Sequence, residues 1–383
     1  MARQFLTPAR IVTGRGAILE AASYIDGFGK KALIVCDQVM ERIGKVKSIT
    51  QALSKKGIAH AVFHDFTGEP DTAIVEAALS VYRKEGCDFL IGIGGGSALD
   101  IMKAVAALEA VDGSVSDYVG KEITAVRAKM VAIPTSAGGG SEATQFAVIA
   151  DKNTGELLQL RGEGLIPDVA IVDPELTLTL PRKITAYTGI DALTNALEAY
   201  TSREAQPLTD TQAISATRRI FHYLPLAIHD GNNEVARTQL SIAALEAGIA
   251  LNNSSDTLVH GMSRPLGVLF HVPYDIANGM LLHVCLKYAK DKAIDKFADM
   301  ARATGAANDG DSDEKAAEIF LSEVKKLCNV CQIPTLASYG IEKDVFFARI
   351  DEMAQAAMNS GCTANTIREV DLEVVKDLYK ELY

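Results

Sequence analysis

The chain has 383 residues and a formal net charge of −11, with 48% hydrophobic and 23% charged residues. This is an ordinary globular composition, and the length exceeds what a single hydrophobic core usually supports, so we expect two domains. The acidic balance argues against a nucleic-acid-binding protein, because there is no basic surplus to neutralise phosphates. It also gives no reason to expect an anionic membrane surface as a partner.

The sequence predicts a cytoplasmic protein. No apolar run approaches the ~20 residues that a membrane-spanning helix needs, and the first residues lack the long apolar stretch of a secretory signal. Six cysteines are few for so long a chain and suit a reducing compartment. Cys328 and Cys331 form a C-x-x-C pair, but no second pair stands nearby to complete a zinc site, so we interpret them as core residues.

Strand-like and helix-like stretches alternate in the first half of the chain. Helical patterns run through Lys56, over residues 72–85 and through Ala107. The predicted strands are short apolar runs at residues 32–36, 61–63, 89–93, 130–134 and 169–172. Apolar strands that alternate with helices are typical of a parallel sheet covered on both faces, which indicates a Rossmann-like α/β domain.

Beyond about residue 184, strand-like runs nearly vanish. Alanine- and leucine-rich helical patterns replace them at residues 192–200, 208–223, 236–251, 276–288, 315–328 and 345–357. The helical stretches are expected to be separated by prolines, namely Pro225, Pro265, Pro273 and Pro334. We therefore predict an α/β domain over residues 1–184 and an all-helical domain over residues 185–383.

A glycine-rich segment follows the third predicted strand and opens a helix. It reads Gly94-Gly95-Gly96-Ser97, with Asp100 in the first helical turn. Glycines let the backbone turn tightly and approach a ligand, and the start of a helix offers free N–H groups to a pyrophosphate. The segment lacks the G-x-G-x-x-G pattern of the common dinucleotide fold, so a plain strand-to-helix turn is the alternative.

A second glycine-rich stretch follows the next strand and carries four hydroxyl groups, on Thr135, Ser136, Ser141 and Thr144. Loops that follow neighbouring parallel strands lie at the same edge of a sheet, where ligands bind, so these residues are candidates for cofactor binding. Asp37 ends an earlier strand and is placed to accept hydrogen bonds from an adenosine ribose. A carboxylate there repels a 2′-phosphate, which favours NAD over NADP, although Asp37 could instead cap a helix.

The helical half carries polar residues within apolar patterns. Asp191 and Asn195 are four residues apart and share one helix face. His260, Arg264 and Tyr274 follow later in the chain. Each of them alone is more commonly a hydrogen-bonded structural residue than a ligand.

Six motifs change that interpretation, since together they resemble the iron-containing (group III) alcohol dehydrogenases. The motifs are GGGSALDIMKA, IPTSAGGGSEAT, IPDVAIVDPEL, GIDALTNALEAY, LVHGMSRPLG and TANTIREV. The resemblance covers essentially the whole chain. It implies a dinucleotide-binding domain of the dehydroquinate synthase-like type, an all-helical domain, NAD as cofactor and a homodimer or larger homo-oligomer. It also implies a divalent metal, iron or zinc, that polarises the alcohol or carbonyl oxygen.

The sequence departs from the family pattern at the metal ligands, which are usually one Asp and three His. Asp191 and His260 match two of these positions, whereas Asn195 and Tyr274 occupy the other two. Arg264 stands where many members carry a further histidine. Neutral amide and phenol oxygens are poor ligands for iron or zinc, so we expect an incomplete site.

His271, three residues before Tyr274, is the one candidate to replace a lost ligand. Arg264 has two open interpretations. It could bind an anionic tail of the substrate through a forked pair of hydrogen bonds, or it could pair with Asp191 or Asp275 and replace the charge of the metal.

The predicted function is that of an NAD(H)-dependent alcohol dehydrogenase or aldehyde reductase. It would move a hydride between nicotinamide and a small alcohol or aldehyde, with or without an anionic tail and with or without a metal. His260, Tyr274, Arg264 and Asn195 are the catalytic candidates, because they can polarise a carbonyl oxygen through hydrogen bonds. The alternative is a cofactor-binding descendant without dehydrogenase activity, or a lyase or synthase on the same scaffold.

Overall fold

The computed structural model describes residues 2–110, 113–124 and 128–383. The chain divides into two compact units, an α/β unit (Leu6–Ser136 and Gly140–Thr179) and a helical unit (Met1–Phe5, Ala137–Gly139 and Leu180–Tyr383). The short loop Ala137–Gly139 groups with the helices, although it lies in the middle of the α/β sequence. No helix of the described residues has the length and apolar character needed to cross a bilayer.

All strands of the described residues lie in the α/β unit. They are β1 (Arg10–Thr13), β2 (Lys31–Val35), β3 (Ala59–Phe63), β4 (Phe89–Gly94), β5 (Lys129–Pro134), β6 (Phe146–Ala150), β7 (Leu157–Arg161) and β8 (Val169–Val172). Six of them form a parallel sheet in the order β1-β8-β5-β4-β2-β3, which confirms the predicted sheet. β6 and β7 form a separate antiparallel hairpin. Sequence analysis missed this hairpin and the edge strand β1.

Helices cover both faces of the parallel sheet. They are α1 (Ala21–Tyr24), α2 (Gln38–Arg42), α3 (Lys45–Lys55), α4 (Thr72–Lys84) and α5 (Gly96–Ala110). Successive residues of β4 point to opposite faces, so Leu90 packs into the core under α4 and α5, whereas Ile91 packs into the core under α1 and α3. Burial on both faces explains why β4 is apolar along its whole length.

The helical unit contains no strand among its described residues. Its helices are α6 (Arg182–Thr201), α7 (Pro207–His229), α8 (Glu234–Asn252), α9 (Leu258–Phe270), α10 (Tyr274–Ala289), α11 (Ile294–Ala303), α12 (Asp313–Val330), α13 (Leu336–Tyr339), α14 (Lys343–Ala348), α15 (Ile350–Asn359) and α16 (Leu372–Lys380). This arrangement confirms the predicted α/β plus all-α fold class.

The structure corrects two predictions about the helices. The stretch 345–357 is not one helix, because the N–H of Arg349 bonds to the carbonyl of Phe346, three residues back, and this tighter turn separates α14 from α15. Pro225 and Pro265 do not separate helices but lie inside α7 and α9. Each removes one backbone hydrogen bond from its helix, and the buried packing of the helix outweighs that loss.

Gly189 allows α6 to pack closely against α7. The same helix carries Asp191 and Asn195. A Cβ at this position would lie 2.4 Å from Cδ1 of Leu224 on α7. We expect Gly189→Ala to destabilise the protein by about 1–3 kcal/mol in urea unfolding, despite the better helix propensity of alanine. In a Leu224→Ala background the same change should cost much less, because the obstructing side chain is gone. An equal cost in both backgrounds would contradict this account of the α6–α7 contact.

Candidate active site

The register between β4 and β5 brings the two glycine-rich loops together. Gly94 is paired with Pro134 at the ends of the two strands, and the N–H of Thr135 donates to the carbonyl of Gly94 at 2.9 Å. The chain then leaves both strands at the same edge of the sheet, which is where α/β proteins bind ligands. The α/β unit therefore has the predicted juxtaposition of the two loops.

The first loop requires glycine at one position and has room for a Cβ at two others. Gly94 has a φ of 158°, and a Cβ on it would lie 2.8 Å from Cβ of Ala98. A Cβ on Gly96, the first residue of α5, would lie in ordinary contact with Oγ of Ser141, at 3.6 Å. A Cβ on Gly95 would similarly lie 3.7 Å from Oγ of Ser136. The two serine hydroxyls predicted to bind cofactor thus lie beside the glycines.

Asp37 adjoins the same loop and caps a helix. Its Oδ1 accepts a hydrogen bond from the N–H of Met40 at 2.9 Å, at the start of α2. Its Oδ2 lies 3.8 Å from the position that a Cβ on Gly94 would occupy. The capping alternative is therefore observed, and the contact of Asp37 with a ribose stays a prediction. Ser97 lies in the first turn of α5 and is half-buried.

Three other cofactor candidates are engaged within the protein. Asp100 accepts hydrogen bonds from the backbone N–H of Val148, at 3.0 Å, and from the hydroxyl of Ser141. Thr135 is buried, and Thr144 accepts hydrogen bonds from Lys103 through both its carbonyl and its hydroxyl oxygen. The structure therefore places the side chains of Asp100 and Thr144 behind the loops, as internal supports.

A buried group of charges, which the sequence did not predict, lies next to the two glycine-rich loops. Lys103 and Glu142 are 0% and 3% exposed. Their opposite charges attract each other, and Lys103 also attracts Asp100. Burial raises the pKa of Asp100 to about 6 and that of Glu142 to about 7, and it lowers the pKa of Lys103 to about 8. Attraction between the opposite charges opposes each of these shifts.

In the helical unit, Glu198 organises the start of α9. Its Oε1 accepts hydrogen bonds from the hydroxyl of Thr257 and the N–H of Val259, each at 2.6 Å, and its Oε2 accepts one from the N–H of Thr257 at 3.1 Å. The same carboxylate pairs with Nδ1 of His260. Burial lowers the pKa of His260, but the charge and hydrogen bond of Glu198 outweigh it, so that pKa is raised.

Asp191 and Asn195 lie on the buried face of α6, as their spacing predicted. Oδ1 of Asp191 accepts a hydrogen bond at 2.9 Å from the side-chain amide of Asn278 on α10. Burial raises the pKa of Asp191 to about 6, against the opposing effects of His260 and of that amide. The side-chain amide of Asn195 donates to the carbonyl of Gly139 at 3.4 Å, and its Oδ1 has no hydrogen-bond partner among the described residues.

The structure corrects the expected partner of Arg264. Its guanidinium pairs with Asp256, at 3.1 Å, and not with Asp191 or Asp275. The same Oδ2 of Asp256 accepts a hydrogen bond from the thiol of Cys362 at 3.3 Å. Asp256 lies just before α9 and Arg264 two turns into that helix, so the pair spans the first part of α9. Its charge is therefore balanced locally.

Tyr274 begins α10 and lies beside His260, with ring centroids 5.4 Å apart. The residue as a whole is 36% exposed, but burial of its phenol group raises the pKa of Tyr274 well above the usual value. His271 is exposed and ends α9 in the left-handed conformation, with φ 53°. The backbone carbonyl of His271 accepts a hydrogen bond from the hydroxyl of Tyr339 at 3.1 Å.

Family models match nearly the whole chain. Iron-containing alcohol dehydrogenase matches residues 8–174, and the C-terminal part of the Fe-containing alcohol dehydrogenase family matches residues 185–383. The NAD-dependent methanol dehydrogenase of Bacillus methanolicus is 33% identical over 99% of both chains. The chain belongs to the iron-containing alcohol dehydrogenase family. It is accordingly an oxidoreductase that acts on CH–OH groups, and the resemblance seen in its motifs is confirmed.

Solved structures of the family have the same fold. The crystal structure of a 1,3-propanediol oxidoreductase is 31% identical, covers 100% of both chains and superposes with a TM-score of 0.96. A sulfoacetaldehyde reductase from Bifidobacterium kashiwanohense, solved in complex with NAD+, is 28% identical, covers 100% of this chain and 99% of its own, and gives a TM-score of 0.89.

The positions that the motif resemblance assigns to the metal ligands hold Asp191, Asn195, His260 and Tyr274. Within the described residues, no group of three or more His, Cys, Asp or Glu side chains is arranged to hold a metal ion. His271 does not complete such a group. The polar side chains that contact the family positions are instead Glu198, at His260, and Asn278, at Asp191.

The raised pKa of Glu142 predicts a pH-dependent stability. A carboxyl group whose pKa rises on folding stabilises the protein while it is protonated, and that contribution is lost as the pH rises through about 7. Unfolding in urea should therefore show a loss of stability between pH 5 and 8, to which Glu142 contributes up to about 3 kcal/mol, and Glu142→Gln should remove that share and leave the shares of Asp100 and Asp191. The exposed Glu163→Gln serves as the control for removing one charge. A Glu142→Gln variant with the wild-type pH profile would refute the assignment.

The open space at Gly96 gives a test of the phosphate loop. A Cβ fits here in ordinary contact, and Gly96 is exposed, so we expect a bulky side chain to obstruct mainly a ligand that approaches the backbone. We expect Gly96→Leu to fold normally and to weaken NADH binding more than about tenfold in a fluorescence titration. Gly310→Leu is the control, since Gly310 is exposed and a Cβ there would meet no atom of the described residues within 4 Å. Unchanged NADH affinity in Gly96→Leu would exclude the loop as the pyrophosphate site.

Proposed function

We propose that the protein is an NAD(H)-dependent alcohol dehydrogenase or aldehyde reductase that acts on a small alcohol or aldehyde without a bound divalent metal. The observation that carries the proposal is the donor set of the helical unit. Of the four family metal positions, two hold an amide and a phenol, and Asp191 is already hydrogen-bonded to Asn278. Two good ligands form too few bonds to compete with water for iron or zinc, so this set does not fit a divalent metal.

NAD(H), when bound, supplies the hydride acceptor or donor, and the two glycine-rich loops with Asp37 are the proposed binding residues. The residues of the helical unit then have to polarise the reacting oxygen. Glu198 holds Nδ1 of His260, which leaves Nε2 as the ring nitrogen available to a substrate. Tyr274 lies beside that ring and keeps its proton, because its pKa is raised. These two side chains are proposed to hydrogen-bond the substrate oxygen and to exchange its proton.

Asn195 adds an acceptor to this group. Its Oδ1 is buried and has no hydrogen-bond partner among the described residues. A buried amide oxygen without a donor is unfavourable by roughly 1–3 kcal/mol. A substrate hydroxyl group or an ordered water would satisfy it. We therefore propose that Asn195 helps to orient the substrate.

A second candidate substrate class is a small aldehyde with an anionic tail. It is favoured by the similarity to the sulfoacetaldehyde reductase and by Arg264, whose guanidinium has five N–H donors and gives one of its nitrogens to Asp256. The ion pair with Asp256 limits this role, because it already balances the charge. Arg264→Lys, which keeps the charge and loses the fork, should weaken a sulfonated aldehyde more than a neutral aldehyde of the same length.

The decisive experiment measures oxidation of NADH and NADPH by the purified protein with short neutral and anionic aldehydes. We expect turnover with NADH, a substoichiometric content of iron, zinc and manganese, and activity within about twofold after treatment with a chelator.

Asn195→His combined with Tyr274→His should raise zinc affinity, because it restores two imidazole ligands. The metal-free proposal fails if the native protein carries a stoichiometric metal whose removal abolishes activity and whose return restores it. Inertness towards every aldehyde, with NADH still bound, would favour the cofactor-binding descendant.

A further inference from the structure

A buried ammonium group connects α5 to the second glycine-rich loop. Lys103 lies one turn beyond Asp100 on α5, and its Nζ makes three hydrogen bonds. The acceptors are the carbonyl oxygen of Thr144 at 2.7 Å, Oγ1 of Thr144 at 3.0 Å and the carbonyl oxygen of Phe146 at 2.9 Å. An ammonium has three N–H donors, so its full hydrogen-bonding capacity is spent on one short segment.

The segment that Lys103 holds carries a hydroxyl group of the proposed cofactor site. Ser141 is three residues before Thr144, and its Oγ lies beside Gly96 at the start of α5. The hydroxyl of Ser141 also donates to Asp100. Asp100 and Lys103 thus attach both ends of the segment Ser141–Thr144 to the helix whose N-terminus forms the first loop.

Stability alone does not explain a charged group at this position. Lys103 is buried with two carboxylates near it, and such groups commonly stabilise a fold no better than apolar side chains of similar size. Three hydrogen bonds to two carbonyls and a hydroxyl do fix interatomic distances, which an apolar side chain cannot do. The geometry therefore indicates that Lys103 fixes the distance between α5 and the second glycine-rich loop.

We propose that Lys103 is a positioning residue for the cofactor. It sets the distance between the N-terminus of α5 and the segment Ser141–Thr144, and hence the width of the site that receives a pyrophosphate. Lys103 does not touch the cofactor, because it is buried and its three donors are used. The inference rests on the proposed binding of NAD(H) by these loops.

The test compares Lys103→Met and Lys103→Arg with a matched buried cation, Arg237, in the helical unit. Arg237 donates to the backbone carbonyls of Gly231 and Leu180 and to the hydroxyl of Thr185, so Arg237→Met removes a similar internal support away from the loops. We expect Lys103→Met to raise the Kd for NADH and for ADP by about 10- to 100-fold, with kcat at saturating NADH within about threefold. Lys103→Arg should lie between Lys103→Met and the wild type. Arg237→Met should lower the melting temperature and leave both Kd values within about twofold.

The outcomes separate this inference from the proposed function. Failure of the wild-type protein to bind NADH would overturn the function. A folded Lys103→Met with wild-type Kd values, or with the same pattern as Arg237→Met, would overturn the role of Lys103 alone. If Lys103→Met does not fold, Lys103→Gln, which keeps a side-chain donor but no charge, is titrated instead and judged by the same two results.

Discussion

The carboxylate of Glu198 is the interaction on which the geometry of the helical unit depends most. The first N–H groups of α9 have no acceptors within their own helix, and Thr257, at the N-cap, supplies no side-chain cap. Glu198, projecting from α6, accepts the N–H of Thr257 and of Val259 and also holds the ring of His260. One side chain therefore positions both the start of a helix and the orientation of an imidazole.

Buried charge serves a comparable purpose in each unit. In the α/β unit a lysine reaches two backbone carbonyls, and in the helical unit a glutamate reaches two backbone N–H groups. Both side chains act where a regular element begins, Lys103 at the start of β6 and Glu198 at the start of α9. Glu198 would hold His260 in place whether or not a metal is bound, which is compatible with the metal-free reaction proposed above.

Much of the fold could be predicted from the sequence because the signals are local. Strands such as β4 and β8 are continuous apolar runs, and the glycines at β4 mark where the chain turns into α5. The hairpin of β6 and β7 escaped prediction, since each strand is only five residues long and is fully buried at just two alternate positions. A break such as the one at Arg349 depends on a single backbone hydrogen bond and leaves no mark in the composition.

The sequence predicted where several polar residues of the site lie on their helices, but not which side chains bond to each other. The spacing of Asp191 and Asn195 placed them on one face of α6, and Glu198, three residues after Asn195, lies on that face by the same helical period. A lone lysine within the apolar sequence of α5 was likewise a signal for Lys103. The ion pair of Arg264 with Asp256 could not be predicted, because Asp191 and Asp275 were equally possible partners in the sequence and only the folded chain selects one.

The position of β1 has a consequence for how the protein is made. Arg10 pairs with Val169, a sequence separation of 169 − 10 = 159 residues, so β1 has no strand partner among the described residues until β8 has been translated. Pairings this distant in sequence close slowly, because the entropy of a large loop must be overcome first. During synthesis β5 can therefore associate with β4 before β8 is available to pair with β1. Until then β1 would remain unpaired and accessible to proteases and chaperones.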